Sequence, residues 1–533
     1  GTATAGDDFV ASSGAVTIAA GSKTATVNIA IKGDTTYENN GVAETIKVKF
    51  SGNKLTADVT ATGSITENEL DLTKYVLTDN ADYITIDNND FGSIYSGYIS
   101  GNTITFSSED TIIGRQNYFD ELIILPNSQK SQIVDNDFLN VTHIEGICYG
   151  MINIPTTLTL GAMASASGLN SVRSWSESQD TNLSVSESFI NDLSINFNYG
   201  NNIIAAKNYK GNLTIKANGT SQDSSISTSV ITLGLGNDNY TSASAGIDTI
   251  IATAGSNDIT TSGGNDFIYS GSGADIIDGG SGIDTVTFTG NYSSYKINRT
   301  NLITTVGSMI VTTDQSFLTI EDNRNGVNDG TDQLLDIEYI QFADQIVEES
   351  KVDVFKSYSS NFSNYSFYNN GDGIYKIKND NSFDDITGIP KLVFSDKTVS
   401  AIVDIKGTFD QITGLNTNSG YIFRLYNASF NRFPDPTGLK YWIEQLDTHN
   451  DLKSIAISFL NSAEFKNIYG NNVTDEVFVD NLYKNVLGRE ADVEGLFYWV
   501  NQLEMGLDTR DTVLLGFSES QENKVTFSEM TGY

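Results

Sequence analysis

One cysteine, Cys148, stands in a chain of 533 residues, so no intramolecular disulfide framework can hold it together. Proline is almost as sparse, at 5 residues against 47 glycines. With Thr, Ser, Asn, Val and Ile filling long stretches, that imbalance favours strands and tight turns over helices. Histidine is limited to His143 and His449, in unrelated parts of the chain. No His-Glu-x-x-His is present for a catalytic zinc, no Gly-x-Ser-x-Gly can be joined to a serine triad, and a Gly-x-x-x-x-Gly-Lys-Ser/Thr phosphate loop is missing. No apolar run approaches the roughly 20 residues of a membrane-spanning helix. Basic residues number 31 against 67 acidic, and the net charge of −36 argues against nucleic acid or a bare anionic membrane as partner. Divalent cations are the natural counterpart.

What the chain does contain is a rhythm of aspartates. Asp238, Asp248, Asp258, Asp266, Asp275 and Asp284 recur at spacings of 10, 10, 8, 9 and 9, and five follow a Gly-x pair, with Gly236, Gly246, Gly264, Gly273 and Gly282 at its head. The most regular copies are Gly279-Gly280-Ser281-Gly282-Ile283-Asp284-Thr285-Val286-Thr287 and Ser270-Gly271-Ser272-Gly273-Ala274-Asp275-Ile276-Ile277-Asp278. Glycine lets the backbone bend through positive φ, and the apolar residue two places after the Asp (Tyr240, Ile250, Ile268, Ile277, Val286) points inward. Each unit is a turn followed by a short strand. A flexible Gly/Asp linker would have no reason to keep an apolar residue in phase.

One such turn offers too few ligands for calcium, which takes about six to eight oxygens. Stacking supplies the rest, because successive turns fall on alternate sides of a flattened coil and each meets the turn two repeats on. The segment resembles the haemolysin-type, or RTX, nonapeptide repeat family over about residues 231–290, and the resemblance implies a parallel β-roll that binds Ca2+ at these turns. The six aspartates and five glycines are therefore candidate ligands, with complete sites expected at Asp266, Asp275 and Asp284. Ser256 replaces the glycine before Asp258, and Ala243, Ala245 and Ala254 make the early copies degenerate.

Upstream, Ala15–Ile18, Ala25–Ile31 and Glu44–Phe50 alternate apolar and polar residues, as half-buried strands do. The phrases Gly1–Phe9, Gly33–Glu38 and Ala61–Glu69 resemble a Calx-β domain. That resemblance implies an immunoglobulin-like sandwich over 1–69 with Asp8, Asp34 and Glu38 as candidate calcium ligands. In that family about two strands precede the phrase at Gly1, so the domain is expected to be completed by chain upstream or by a donated strand. Residues 70–230 carry no nameable motif. Runs such as Tyr83–Ile86, Asn102–Phe106, Thr157–Leu160 and Asn212–Ile215 predict a further β domain, either a sandwich or an irregular β-helix. His143, Glu145 and Cys148 lie close together there, but beside Ile144 and Ile147 they read as packing.

Residues 291–410 predict two β modules that close the roll: Asn291–Ile297 returns as Asn361–Phe367, and Ile340–Asp344 as Leu392–Asp396. The Gly330-Thr331-Asp332 phrase and the strand after it resemble the segment that commonly follows RTX repeats. From 420 to 533 the pattern turns helical and repeats at 57 residues: Leu425-Tyr426 through Trp442 to Leu446 recurs as Leu482-Tyr483 through Trp499 to Leu503. Leu439, Trp442, Ile443 and Leu446 match Leu496, Trp499, Val500 and Leu503 on one helical face. Asp435-Pro436 starts a helix, and Arg432 and Asp435 match Arg489 and Asp492. This part resembles a helical domain near the C-termini of bacterial S-layer and RTX proteins. The tryptophans read as core rather than as a sugar platform.

The whole is a mainly β, modular chain with an all-α end. The expected function is a calcium-stabilised extracellular structural protein of a Gram-negative bacterium, an S-layer or surface-assembly subunit exported by type I secretion. It is expected to self-associate into a lattice or filament, with a cell-surface polysaccharide as a candidate partner and without enzymatic activity, since nothing among 67 carboxylates singles out a catalytic pair. Its rivals are a glycan- or host-binding adhesin and the tail of a secreted enzyme.

Overall fold

A computed structural model describes residues 3, 5, 9–11, 13–20, 22, 24–31, 44–52, 57–65, 77, 81–86, 93–96, 106–124, 132–149, 156–174, 180–197, 200–218, 228–243, 245–306, 309–326, 329–369, 371–379, 382–448 and 451–533. It divides into two units, residues 1–219 and 220–533.

In the first unit, Glu44–Phe50 forms the expected strand and pairs antiparallel with Val59–Ile65. The other two alternating stretches do not form strands: residues 13–19 and 24–30 are almost wholly exposed, with Val16 and Ile18 open to solvent. Alternation alone does not bury a face; a partner strand must cover it. Asp8, Asp34 and Glu38 lie outside the described residues.

Of the stretch 70–230, the described strands of this unit form a parallel coil rather than a sandwich. Glu121–Ile124, Gly146–Tyr149, Ser171–Ser174, Leu193–Phe197 and Leu213–Ala217 run parallel in one sheet. Gln132–Ile133, Thr156–Leu160, Thr181–Val185 and Asn202–Ala205 run parallel in a second. The register stacks Leu122, Ile147, Val172, Ile195 and Ile215 in a column, each fully buried. Cys148 is buried in the same sheet as a free thiol, pushed up to about 12 by burial. His143 is exposed, and Glu145 accepts the Asp120 amide at 2.9 Å, so the trio forms no site.

The second unit begins with the roll. Asn239–Ser242, Asp258–Thr260 and Ile276–Asp278 stack parallel on one side, and Thr228–Thr232, Ile247–Ile251, Phe267–Tyr269 and Thr285–Thr287 on the other. Tyr240, Ile250, Ile259, Ile268, Ile277 and Val286 are completely buried between them. The roll then pauses. Tyr295–Val306 and Met309–Asp322 form a long antiparallel hairpin, after which Thr331–Leu335 returns parallel to Ile276–Asp278 and Tyr339–Gln341 returns parallel to Thr285–Thr287. The first predicted β module thus contains one more coil of the roll. Antiparallel strands finish both sheets: Met309–Asp322 covers Thr331–Leu335, and Ile346–Glu348 covers Tyr339–Gln341. Phe288, Tyr292, Tyr295 and Phe342 pack ring on ring beneath this end, closing it as a terminal repeat must.

The second module repeats the first in detail. Asp344 accepts the Tyr292 amide and Asp396 the Phe362 amide, both at 2.8 Å, and Phe288 stacks on Phe342 as Tyr358 stacks on Phe394. Its partner is different, however. Its buried side chains belong to one core with the C-terminal helices, through Phe367 against Phe433 and Tyr375 against Phe409.

The helical repeat is equally literal. Asn418–Phe430, Pro436–Thr448, Leu452–Asn461 and Ala463–Tyr469 are matched by Asp475–Leu487, Val493–Glu504, Arg510–Ser518 and Gln521–Thr531. Asp435 caps the Gly438 amide as Asp492 caps that of Gly495, and Arg432 lies over Tyr426 as Arg489 lies over Tyr483. Trp442 packs on Phe459 and Trp499 on Phe517, the core role expected of them.

Candidate metal centre

The aspartates of the roll occupy two parallel ladders, one along each edge. On one edge Asp284 Oδ1 accepts the Asp266 amide at 2.8 Å and Asp266 Oδ1 accepts the Asp248 amide at 2.7 Å. On the other, Asp275 Oδ1 accepts the Asn257 amide at 2.8 Å, and Asn257 Oδ1 accepts the Asp238 amide at 2.9 Å. Each link joins one turn to the turn stacked on it, about eighteen residues away. The ladders continue past the hairpin: Asp332 accepts the Asp275 amide at 2.9 Å, and Glu338 accepts the Asp284 amide at 2.7 Å.

Glycine makes this stacking possible. Gly264 and Gly282 have φ of +123° and +145°, and a Cβ on Gly282 would lie 1.5 Å from the Gly264 carbonyl oxygen. On the opposite edge a Cβ on Gly273 would lie 1.7 Å from that of Gly255. Backbone carbonyls of adjacent turns are thus held near the carboxylate ladders, and any side chain would force them apart.

Asp266, Asp275, Asp284 and Asp332 each spend Oδ1 on the amide bond. The other, Oδ2 of Asp266, Asp275, Asp284 and Asp332, is buried and has no hydrogen-bond partner. An ionised carboxylate left this way costs several kcal/mol, at about the scale of a broken buried ion pair. Burial accordingly pushes the carboxyls up, Asp266 to about 7, Asp275 and Asp284 to about 6, and Asp332 to about 8. Neighbouring carboxylates push the same way: Asp248 and Asp284 act on Asp266, and Glu338 on Asp284. A hard divalent cation fits this donor set, since it supplies the missing charge and takes oxygen from side chain and backbone together. Calcium here would be held by Oδ2 of these aspartates and the stacked turn carbonyls, joining coil to coil. No group of three or more His, Cys, Asp or Glu side chains placed to hold a metal ion by themselves occurs among the described residues, so backbone carbonyls would have to complete the shell.

Three of the expected ligands stand apart. Asp258 is exposed and one place out of register; its neighbour Asn257 occupies the ladder position. The Asn257 amide nitrogen donates to Asp275 Oδ1 at 2.9 Å and to the Ala254 and Gly255 carbonyls at 3.3 and 3.4 Å. It therefore offers donors where a cation would otherwise sit. Asp248 is in the ladder but receives the Tyr240 hydroxyl at 2.9 Å, and Asp238 receives the Gly234 amide at 2.8 Å. Gly236 and Gly246 provide the carbonyls on which Gly255 and Gly264 stack. Asn257, Asp332 and Glu338 were missed by the aspartate rhythm. All three obey the rule that would have found them, lying two residues before a buried apolar residue: Ile259, Leu334 and Ile340.

Residues 242–277 and 251–286 match the RTX calcium-binding nonapeptide repeat (4 copies), and residues 408–461 and 456–527 match a domain of unknown function (DUF4214). No curated protein and no solved structure matches the chain. No described helix is long and apolar enough to cross a membrane. The chain carries RTX calcium-binding nonapeptide repeats, folded as a parallel roll whose turns present unpartnered buried carboxylates for the ion.

Proposed function

We propose that this chain is a calcium-stabilised extracellular structural protein, an S-layer or surface-assembly subunit that leaves the cell unfolded by type I secretion. The single observation that carries the calcium part is the set of buried carboxylate oxygens without partners in stacked turns. In a calcium-poor cytoplasm these groups oppose closure of the roll. At the roughly millimolar calcium of extracellular modules they bind it shut. A structural role agrees with the absence of a His-Glu-x-x-His, a serine triad or a phosphate loop, and we take the chain to be non-enzymatic. Self-association into a lattice or filament, with a surface polysaccharide as anchor, suits a chain of net charge −36 whose acidic faces calcium can bridge. The N-terminal segment is assigned the Calx-β role of a spacer from its sequence phrases and the hairpin Glu44–Phe50 with Val59–Ile65.

The test is electron microscopy of the purified full chain in millimolar calcium and in EGTA. Ordered arrays or filaments that dissolve in chelator are expected. Monomers at every calcium and protein concentration would remove the assembly role and leave the calcium-binding roll intact.

A further inference from the structure

The hairpin Tyr295–Asp322 interrupts the roll, yet the chain that follows rebuilds its geometry. Leu334 stacks on Ile277 in parallel register and is buried, as Ile277 is on Ile259. Gly330, at φ of +89°, sits so close to the Gly273 turn that a Cβ would lie 1.4 Å from the Gly273 carbonyl oxygen. This repeats the contact of Gly273 with Gly255. Asp332 is 0 % exposed, its Oδ1 holds the Asp275 amide, and its Oδ2 has no partner. Directly beneath it, Asp275 Oδ2 has none either.

From this juxtaposition we infer a further calcium site between the turns at Gly273 and Gly330, in which Asp275 and Asp332, 57 residues apart, share one ion. The inference rests on the calcium reading of the roll, but the Gly330 and Asp332 half of the site lies beyond the residues that match the nonapeptide repeat, which end at 286. Nearby charges do not replace the ion. Asp329 is taken by Thr289 and Tyr295, and Arg324 is engaged by Asp322 and Asp329. The turn beneath shows what a metal-free version needs, namely the Asn257 amide nitrogen donating to the Gly255 carbonyl and to Asp275. At Asp332 the same position is a carboxylate with no donor on its outer oxygen. The ion therefore locks the coil 329–341, and the hairpin strand Met309–Asp322 paired to it, onto the body of the roll. Calcium in this way governs docking of the cap as well as cohesion of the repeats.

The experiment compares the full chain with D332N and D266N by calorimetric calcium titration and by hydrogen exchange with and without calcium. Asparagine suits the position, as Asn257 demonstrates, and retains an oxygen for the Asp275 amide. D332N is expected to lose one calcium equivalent, or to bind it about tenfold or more weakly, because removal of a ligand charge lowers affinity. Its residues 331–341 should no longer gain protection from calcium, while D266N should lose a different equivalent and keep that protection. An unchanged D332N isotherm beside a reduced D266N one overturns the shared site and leaves the repeats as calcium binders. If neither variant alters the isotherm, the calcium reading itself falls. The unsubstituted chain offers an independent check: calcium-dependent protection at 266–286 with none at 331–341 also overturns the proposal.

Discussion

At Asp275 and Asp284 one carboxylate oxygen holds a backbone amide and the other has no partner, so the charge there must be met by a proton or by a cation. Replacing both with Ala should lower stability in calcium by about 3 kcal/mol per ion lost, where calcium stands about a hundredfold above its Kd. In metal-free buffer the change should be smaller, set by the two buried amides that lose an acceptor against the relief of two unpartnered carboxylates, and equal losses in the two media, read by thermal melts, would contradict the ligand assignment. The pH dependence has a definite sign. These carboxyls are raised to about 6, and that of Asp266 to about 7, against about 3.9 in an unfolded chain. The metal-free fold therefore binds the extra protons, and its stability should fall as pH rises from about 4 through about 7. In calcium the slope should reverse over that window, since protons compete with the ion. Most of this site was legible from Gly-x-Asp spacing. Asp258 was not placed correctly because it stands beside the true ladder residue, and residue type outweighed phase: inward Ile259 fixes Asn257 as the equivalent of Asp275.

Elements were legible where the period was strict. The 57-residue helical repeat gave its caps and core face, but its asymmetry was hidden. Arg424 is 0 % exposed, with its guanidinium on Glu519 at 3.0 and 2.6 Å and on the Leu415 carbonyl at 2.7 Å, and the residue 57 places on is Asn481. The pair ties Asn418–Phe430 to the residue that ends Arg510–Ser518, joining the first half of the repeat to the second. Arg424→Ala leaves Glu519 only the longer Lys524 contact at 3.5 Å and removes the donor to the Leu415 carbonyl, and should cost about 2 kcal/mol in denaturant unfolding followed by tryptophan fluorescence. A loss under about 0.5 kcal/mol, the range of an ordinary surface change, would mean that the pair is incidental. The parallel coil in 93–217 was harder to read. Its aligned positions, 122, 147, 172, 195 and 215, are spaced 25, 25, 23 and 20 apart, so it has no fixed period to detect. The hairpin concealed the last coil of the roll in the same way, by turning a spacing of 18 into 57.

Across the second unit, domain borders drawn from sequence similarity and from packing differ. The helical match begins at 408, yet Phe409 and Phe433 pack against Tyr375 and Phe367 of the β module before it, within one continuous core. A fragment 408–533 should expose this apolar face and melt without cooperativity, whereas 353–533 should unfold in one transition; equally sharp calorimetric transitions for both would show that the helices stand alone. The turn at Asn257 has a consequence for how the roll is assembled. Because its amide already neutralises the neighbouring acceptors, that coil can set before any metal arrives, and the next ion-binding turn then finds one wall of its pocket standing. Ion uptake on that edge should therefore advance in a fixed order away from a ready-made template, like a zipper started from one end.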